Sequence, residues 1–300
     1  MTIRELDPVQ DAGEFVALLF ATNPTIVTNT QEWLYRRRAI PERARLFARV
    51  AEVDERIAGV VEAGLNFFGS GDVAALGVRV DPAHRNQGIG SELYDLGLEH
   101  VRSLDATHVT TTFDENDAGV AFATRRGWSE ARAETLSVLD PREVDARPDS
   151  SVEVLPACDL DPRELHRIDE EATRDMPAFE AIGEIDYDEW LDFVWDNPLF
   201  TREGSFGAVV DGRVAAVSLL LVNTDVGRAA NMFTGTARAH RGRGLAFAVK
   251  LAATRWAAEN GITQIVTTND ETNSAMLAVN RRLGYKPIGR RVEYVLQLKA

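Results

Sequence analysis

The chain contains the stretch His84-Arg85-Asn86-Gln87-Gly88-Ile89-Gly90 and repeats it, 156 residues later, as His240-Arg241-Gly242-Arg243-Gly244-Leu245-Ala246. Both stretches follow a predicted β-strand and precede a predicted α-helix. The first N–H groups of a helix have no intrahelical partner, and the helix dipole is positive at that end, so anions bind there readily. Glycine also allows the backbone to come close to a bulky phosphate. The sequence therefore predicts two phosphate-binding loops.

The two loops belong to a longer internal repeat. Upstream, Arg56-Ile57-Ala58-Gly59-Val60 matches Arg213-Val214-Ala215-Ala216-Val217, and downstream, Arg125-Arg126-Gly127-Trp128 matches Arg282-Leu283-Gly284-Tyr285, both at a spacing of 157 residues. Three landmarks in the same order at nearly constant spacing indicate two copies of one domain. Residues 140–151 are polar and contain two prolines, which is typical of a linker. We therefore expect an N-terminal domain over residues 1–145 and a C-terminal domain over residues 150–300.

Both copies show the same order of predicted elements. A strand is followed by two helical stretches, a hairpin, a strand that leads into the phosphate loop, and the helix after that loop. A further strand, a helix and a closing strand complete each copy. This order predicts the α/β (α+β) class, with a mixed, mostly antiparallel, twisted sheet flanked by helices in each domain.

Composition limits the partners and cofactors of the chain. Its 300 residues include 33 basic and 47 acidic side chains, a formal charge of −14, which argues against binding to nucleic acid or to an anionic membrane surface. The single cysteine, Cys158, excludes an internal disulfide, and neither it nor the five histidines show metal-ligand spacing. No apolar run is long enough to cross a membrane, and the first residues lack the pattern of a signal peptide. We expect a cytoplasmic protein without a metal, and the sequence leaves its oligomeric state open.

Both loops fit the pattern Arg/Gln-x-x-Gly-x-Gly/Ala, and with it the chain resembles the GNAT superfamily of acyl-CoA-dependent N-acyltransferases over nearly all of both halves. The resemblance implies direct transfer of an acetyl group from acetyl-CoA to a small amine, in a tandem arrangement similar to that of mycothiol synthase. In this family the loop holds the CoA pyrophosphate, and the preceding strand offers backbone groups to the pantetheine arm and the thioester oxygen. The implied cofactor-binding residues are Val78, Val80, Arg85, Gln87, Gly88, Gly90 and Ser91 in the first copy, and Thr236, Arg241, Gly242, Arg243, Gly244, Ala246 and Asn273 in the second.

The two copies differ where many family members carry a tyrosine as general acid, because Ala123 and Asn280 occupy that position. Asn273 and Asn280 are seven residues apart and share one face if the segment is helical. Asparagine inside a helix is unfavourable, which favours a function for Asn280, whereas Asn273 is equally compatible with a helix cap. We predict Asn280, Asn273 and Thr234 as catalytic residues. The C-terminal copy is then the catalytic one, and the N-terminal copy binds CoA but is poorer at turnover.

An acidic segment precedes the second phosphate loop. Residues 159–203 hold 15 acidic and four basic side chains, a net charge of −11. In the family, the first two helices cover the acceptor, so Asp186, Tyr187 and Trp190 predict a site for a cationic amine. The alternative is an amphipathic helix with Trp190 in the core and its acids in solvent. Two alternative functions stay open: an acetyltransferase of the mycothiol synthase type, and a non-catalytic acyl-CoA-binding or sensor protein.

Overall fold

The structure is a computed structural model that describes residues 1–67, 72–147, 151–176 and 185–298. The chain forms two compact units. Of the described residues, the N-terminal unit contains 1–133 and 291–298, and the C-terminal unit contains 134–176 and 185–290.

The described strands and helices follow one another in the predicted order. The strands are β1 (Thr2–Glu5), β2 (Phe47–Val53), β3 (Arg56–Leu65), β4 (Val73–Val80), β5 (His108–Asp114), β6 (Ser129–Leu139), β7 (Glu153–Pro156), β8 (Phe206–Val210), β9 (Arg213–Asn223), β10 (Arg228–Thr236), β11 (Gln264–Asp270) and β12 (Lys286–Gln297). The α-helices are α1 (Ala12–Thr22), α2 (Thr30–Ala39), α3 (Ile89–Arg102), α4 (Asp117–Thr124), α5 (Pro162–Thr173), α6 (Tyr187–Trp190), α7 (Leu245–Glu259) and α8 (Ser274–Leu283). A π-helical turn, Leu191–Trp195, continues α6.

The sheet of the N-terminal unit has the strand order β1-β2-β3-β4-β5-β12. Neighbouring residues of one strand point to opposite faces. On β3, Val60 packs with α1 and α2, whereas Val61 packs with α3, so helices cover both faces of the sheet. All strand pairs are antiparallel except β4 and β5, whose parallel pairing covers only Val73–Ala75 and His108–Thr110. Strand β4 then runs on to Val80 and the first phosphate loop.

The C-terminal unit repeats this layout, with the strand order β7-β8-β9-β10-β11-β6. Its parallel pair, β10 and β11, is joined over Arg228–Ala230 and Gln264–Val266. The register between β10 and β9 shifts between Asn231 and Phe233, which makes a β-bulge at Met232. The register of β4 against β3 runs without a shift, so the bulge distinguishes the two units.

The predicted α/β (α+β) class and the two-fold repeat are confirmed, but the expectation that each copy closes its sheet with its own last strand is wrong. Residues Glu134–Leu139 of β6 pair with β11 in the C-terminal unit, and Arg291–Gln297 of β12 pair with β5 in the N-terminal unit. The sequence repeat, with its predicted boundary near residues 145–150, therefore does not coincide with the compact units.

The exchange makes the core of the N-terminal unit depend on residues near the end of the chain. Tyr294 is buried and stacks on Phe113 at 5.5 Å between ring centroids. We expect Tyr294→Ala to destabilise this unit by about 3 kcal/mol, because it leaves a cavity in the core. Hydrogen exchange should then accelerate in β5, which lies in the first half of the chain.

The matched control is Ile288→Ala, because Ile288 lies on the same strand and its side chain is 51% exposed. This variant should leave the exchange rates of β5 unchanged. Equal acceleration by both substitutions, or unchanged β5 exchange in Tyr294→Ala, would contradict the assignment of β12 to the N-terminal core.

Candidate functional site

Both phosphate loops have the backbone that the sequence predicts. Gly88 and Gly244 stand at φ +88° and +79° immediately before α3 and α7, in the left-handed region that favours glycine. A Cβ atom at either position would meet nothing within 4 Å. The glycines are therefore needed for their φ angles, and the space above each loop is open to a ligand.

The two motif arginines make the same backbone contact. Arg85 Nε donates to the carbonyl oxygen of Val80 at 3.4 Å, and Arg241 Nε donates to that of Thr236 at 3.2 Å. Each arginine thus connects its loop to the end of the preceding strand. Both side chains are exposed.

In the N-terminal unit a cleft of about 810 Å³ opens where β4 and β5 part. This volume lies within the range of about 300–1,000 Å³ that is typical of ligand sites. Six of the seven predicted cofactor-binding residues of this copy line it: Val78, Val80, Arg85, Gly88, Gly90 and Ser91. Gln87 is not among the lining residues, and its side-chain amide donates to the carbonyl oxygen of Ala83 at 3.4 Å.

The cleft contains polar groups that the sequence reasoning missed. The Tyr94 hydroxyl lines it and accepts a hydrogen bond of 3.0 Å from Trp128 Nε1. The guanidinium of Arg126 stacks over the Phe122 ring at 3.6 Å and donates to Ser91 Oγ at 2.8 Å. Tyr94 belongs to an apolar helical stripe, and the stripe alone predicts only core packing.

An ion pair also borders this cleft. Arg291 Nε donates to Asp114 Oδ1 at 2.8 Å, and both residues line the cleft. The partners are 177 residues apart in the sequence. No local pattern could have predicted their proximity, because it results from the exchanged strand β12.

Asn280 of the C-terminal unit has the features of a ligand-binding group. Its side chain is 3% exposed, and its Nδ2 donates to Asn269 Oδ1 at 2.6 Å. Its Oδ1 is buried and has no hydrogen-bond partner. Because a buried polar atom without a partner is costly, Asn280 Oδ1 is poised to accept a hydrogen bond from a bound molecule.

The other two predicted catalytic residues make local contacts. Asn273 caps α8, since its Oδ1 accepts from Met276 N at 3.1 Å. This cap was the alternative interpretation of Asn273 and is confirmed. Thr234 lies on β10, half-buried, and its Oγ1 donates to Asn231 Oδ1 at 2.9 Å.

A buried polar network lies beneath the bulge of β10, and it too was missed by the sequence reasoning. Lys250 on α7 is 2% exposed, and its Nζ donates to Asn231 Oδ1 at 2.7 Å. Asn231 Nδ2 donates in turn to Ser218 Oγ on β9 at 2.8 Å. The ammonium group also lies 4.9 Å from the ring centroid of Tyr285. Burial lowers the pKa of Lys250 to about 7 and raises that of Tyr285.

The second phosphate loop has an internal anion beside it. Asp175, which follows α5, accepts from Arg241 at 2.6 Å and from Arg238 at 2.8 Å. These guanidinium groups hold the pKa of the Asp175 carboxyl well below its usual range. An anionic ligand on this loop would therefore meet an arginine that already has a carboxylate partner.

The predicted acceptor residues lie close together at the start of α6, but each makes a different kind of contact. Asp186 caps α6 by accepting from Glu189 N at 2.9 Å, and Tyr187 lies under the Arg163 guanidinium at 4.1 Å. Trp190 is 2% exposed and packs in the core, as in the alternative interpretation. Residues 177–184 of the predicted acceptor segment lie outside the described residues.

The acidic segment is not a uniformly free negative surface. On α5, Glu164 pairs with Arg167 and Arg213, which lowers its pKa to about 2. Asp169, by contrast, accepts hydrogen bonds from Trp190 Nε1 at 2.8 Å and from Thr173 Oγ1 at 3.1 Å, and burial raises its pKa. The net charge of −11 already includes Arg167, and Arg213, which lies outside the segment, offsets part of it.

Among the described residues, no group of three or more His, Cys, Asp or Glu side chains could hold a metal ion. Within the same ranges, no helix is long and apolar enough to span a membrane.

The sequence matches a model described as the Acetyltransferase (GNAT) family, over residues 14–128 and again over residues 165–285. The matches span both phosphate loops and most of each sequence repeat. None of the curated proteins matches the sequence significantly.

Several solved structures share the fold over the whole chain. A GCN5-related N-acetyltransferase from Sphaerobacter thermophilus aligns with a TM-score of 0.75 and 18% identity, covering 100% of this chain and 96% of that one. A tandem GNAT protein from the clavulanic acid biosynthesis pathway aligns with a TM-score of 0.74 and 22% identity, covering 100% and 99%. A glucosamine N-acetyltransferase region of a fungal multi-domain β-N-acetylglucosaminidase aligns with a TM-score of 0.68 and 15% identity, and the alignment covers 98% of this chain and 38% of that one.

The buried amine of Lys250 should make the free energy of unfolding depend on pH. In the unfolded chain lysine keeps its proton to about pH 10, whereas the folded pKa is about 7. Between these values the unfolded state binds more protons, so the free energy of unfolding rises with pH. We expect Lys250→Met to be more stable than the wild type at pH 6, by about 1–3 kcal/mol, because an apolar side chain removes the cost of burying a charge.

This stability difference should shrink as the pH is raised from 7 to 10, as measured by urea unfolding at several pH values. Lys286→Met is the matched control, because Lys286 is 78% exposed, and its unfolding should match the wild type at each pH. A Lys250→Met protein that is destabilised equally at pH 6 and pH 9.5 would contradict the assigned protonation behaviour.

Proposed function

Because the chain belongs to the GNAT family of acetyltransferases, with one family match in each half, we propose that it is an acetyl-CoA-dependent N-acetyltransferase that acetylates a small, cationic amine directly. The observation that carries the proposal is the phosphate loop that follows β4 and β10, the strands that continue beyond each short parallel pair. The open space above Gly88 and Gly244 and the positive end of the following helix suit the pyrophosphate of CoA.

The N-terminal cleft supports a role in binding the cofactor. Its volume of about 810 Å³ and its position between β4 and β5 suit an extended, amide-bearing arm such as pantetheine. On the side of β4 that faces β5, the backbone groups beyond Ala75 have no ladder partner and are available to such an arm, whereas the groups on the other side pair with β3. Ala123, at the position of the usual family tyrosine, supplies no acid, so we propose binding rather than turnover in this unit.

The C-terminal unit is the proposed catalytic unit. The amine nitrogen forms a bond to the acetyl carbon, the carbon–sulfur bond breaks, and the proton that the amine loses balances the proton that the CoA thiolate gains. The unpartnered Asn280 Oδ1 would accept a hydrogen bond from the bound cofactor or its thiol. A backbone N–H at the bulge of β10 would face the oxygen on which negative charge develops. The acceptor side is proposed at Asp186 and Tyr187, and the protein is proposed to act in the cytoplasm.

Two rival functions remain distinguishable from this proposal. An acetyltransferase of the mycothiol synthase type would share the chemistry and differ in the acceptor. A non-catalytic acyl-CoA sensor would bind the cofactor at the same loops without turnover. The observation in its favour is that Ala123 and Asn280 occupy the positions of the usual family tyrosine.

The decisive measurement is release of free CoA from acetyl-CoA in the presence of a panel of primary amines. We expect at least one cationic amine to raise release well above the rate without an acceptor. Acetyl-CoA binding with no stimulation by any amine would contradict the enzyme and support the sensor. Because an acetyltransferase of the mycothiol synthase type would differ only in its acceptor, the amine that stimulates release most strongly distinguishes that type from the main proposal.

Glutamate substitutions at the two loops test which unit turns over. Gly244→Glu and Gly88→Glu both place an L side chain at positive φ and a carboxylate in a phosphate site. We expect Gly244→Glu to lower kcat at least 100-fold, and Gly88→Glu to remove one of two bound CoA equivalents with a small effect on kcat.

Gly212→Glu controls for backbone strain, because Gly212 has φ +76° in a hairpin turn and a Cβ there would also meet nothing within 4 Å. It should retain both CoA equivalents and full activity. Equal losses of kcat from Gly88→Glu and Gly244→Glu would contradict the assignment of catalysis to the C-terminal unit.

A further inference from the structure

The chain has an unusual choice of buried cation. It contains only three lysines, Lys250, Lys286 and Lys299, among 33 basic residues, so arginine is used nearly everywhere. The exception in the interior is Lys250, the one basic residue among the fully buried side chains of the described ranges. Arginine cannot lose its proton inside a protein, whereas lysine can. A buried lysine in such an arginine-rich chain therefore calls for a physical reason.

The contacts of Lys250 converge on the bulge of β10. Asn231, the last residue before Met232, accepts from both Lys250 Nζ at 2.7 Å and Thr234 Oγ1 at 2.9 Å through the same Oδ1 atom. With both donors on Oδ1, the Nδ2 of Asn231 must face β9, where it donates to Ser218 Oγ at 2.8 Å. Lys250 thus fixes the orientation of the amide that connects the two sides of the bulge.

We propose that Lys250 is a positioning residue for acetyl transfer in the C-terminal unit: through Asn231 it holds the bulge of β10 and the side chain of Thr234 in the arrangement that the acyl group requires. This inference rests on the proposed function of the C-terminal unit. Lys250 itself lies beneath the strand and acts through Asn231.

The N-terminal unit provides the internal comparison. At the spacing of 156 residues that relates the two loops, Thr234 and Thr254 correspond to Val78 and Leu98. Asn231 precedes the extra residue of the bulge and pairs with Leu220, just as Leu76 pairs with Ala63 in the N-terminal unit, so Asn231 corresponds to the buried Leu76. Lys250 corresponds to Tyr94, whose hydroxyl accepts from Trp128 instead of holding a strand amide. Strand β4 pairs with β3 without a register shift, so this unit has neither the bulge nor the network that holds it.

A purely structural role explains these features poorly. Burying an amine costs free energy, and the related unit fills the same place with apolar side chains and a tyrosine. Bulges recur beside active sites because they redirect backbone groups out of the strand ladder. Such a backbone group must be held closely, since a displacement of about 1 Å costs on the order of 100-fold in rate.

The experiment compares the wild type with Lys250→Met and with the control Lys286→Met, whose parent lysine is exposed. We expect Lys250→Met to lower kcat by about 10- to 100-fold. The KM for acetyl-CoA should stay within about threefold, because the phosphate loop is untouched, and the Tm should not fall. Lys250→Leu replaces this variant if Lys250→Met does not fold.

A second readout needs no amine. Acetyl-CoA labelled with carbon-13 at the acetyl carbonyl is bound to protein carrying Gly88→Glu, so that the C-terminal loop alone is loaded. In Lys250→Met the carbonyl resonance should move from its bound position toward that of free acetyl-CoA, because the hydrogen bond to its oxygen is weakened. Lys286→Met should keep the wild-type resonance.

The outcomes separate the inference from the function on which it rests. Folded Lys250→Met with wild-type kcat and carbonyl resonance overturns the inference and leaves the enzyme proposal intact. A loss of kcat accompanied by a lower Tm and a raised KM also overturns it, because that pattern is plain structural damage. If the wild type acetylates no amine, the proposed function fails, and the carbonyl resonance alone decides whether Lys250 positions the bulge.

Discussion

In both units two parallel strands part after only three paired residues, and the other features of the candidate sites depend on this geometry. Backbone N–H and C=O groups inside a protein are nearly always hydrogen-bonded, so strands that part must offer their groups to water or to a ligand. The phosphate loop lies at the far end of the continuing strand, β4 or β10, and a helix N-terminus follows it. A long ligand with an anionic head and an amide-bearing arm matches this sequence of partners.

The two units share this geometry but differ in the chemistry beneath it. The N-terminal unit has an open cleft with both polar and apolar lining residues, and its β4 pairs with β3 without a register shift. The C-terminal unit has a bulge, a buried amine and an unpartnered amide oxygen on Asn280. Each of these features costs stability, and natural proteins retain such costs chiefly where function requires them.

Local sequence patterns sufficed for much of this architecture. The loops, the repeat and the order of elements were predictable because glycine spacing, strand-to-helix transitions and hairpin turns are encoded within short windows. The bulge at Met232 was not, because it depends on the register against β9. The network of Lys250 was also missed, because the lysine lies in a helix whose pattern predicts apolar core. The other two members of the network, Asn231 and Ser218, lie on β10 and β9.

In the acceptor region, too, the sequence pattern did not reveal contacts that depend on packing. Interleaved acids and aromatic residues suggested a wall for a cation, but the burial of Trp190 and the arginine partners of Glu164 are set by packing between α5, α6 and the sheet. A charge pattern gives the composition of a surface and not the pairing within it. The carboxylate of Asp175, already held by two loop arginines, is a further example.

The exchanged closing strands have a consequence for dissecting the protein. A fragment cut at the repeat boundary would keep β6 but lose β12, leaving β5 as an uncovered edge, and the complementary fragment would leave β11 uncovered. Uncovered edges recruit strands from other chains, so each half produced separately would tend to associate with further copies. Mixing the two halves should restore a paired assembly by strand complementation, which makes the protein a natural candidate for a split reporter.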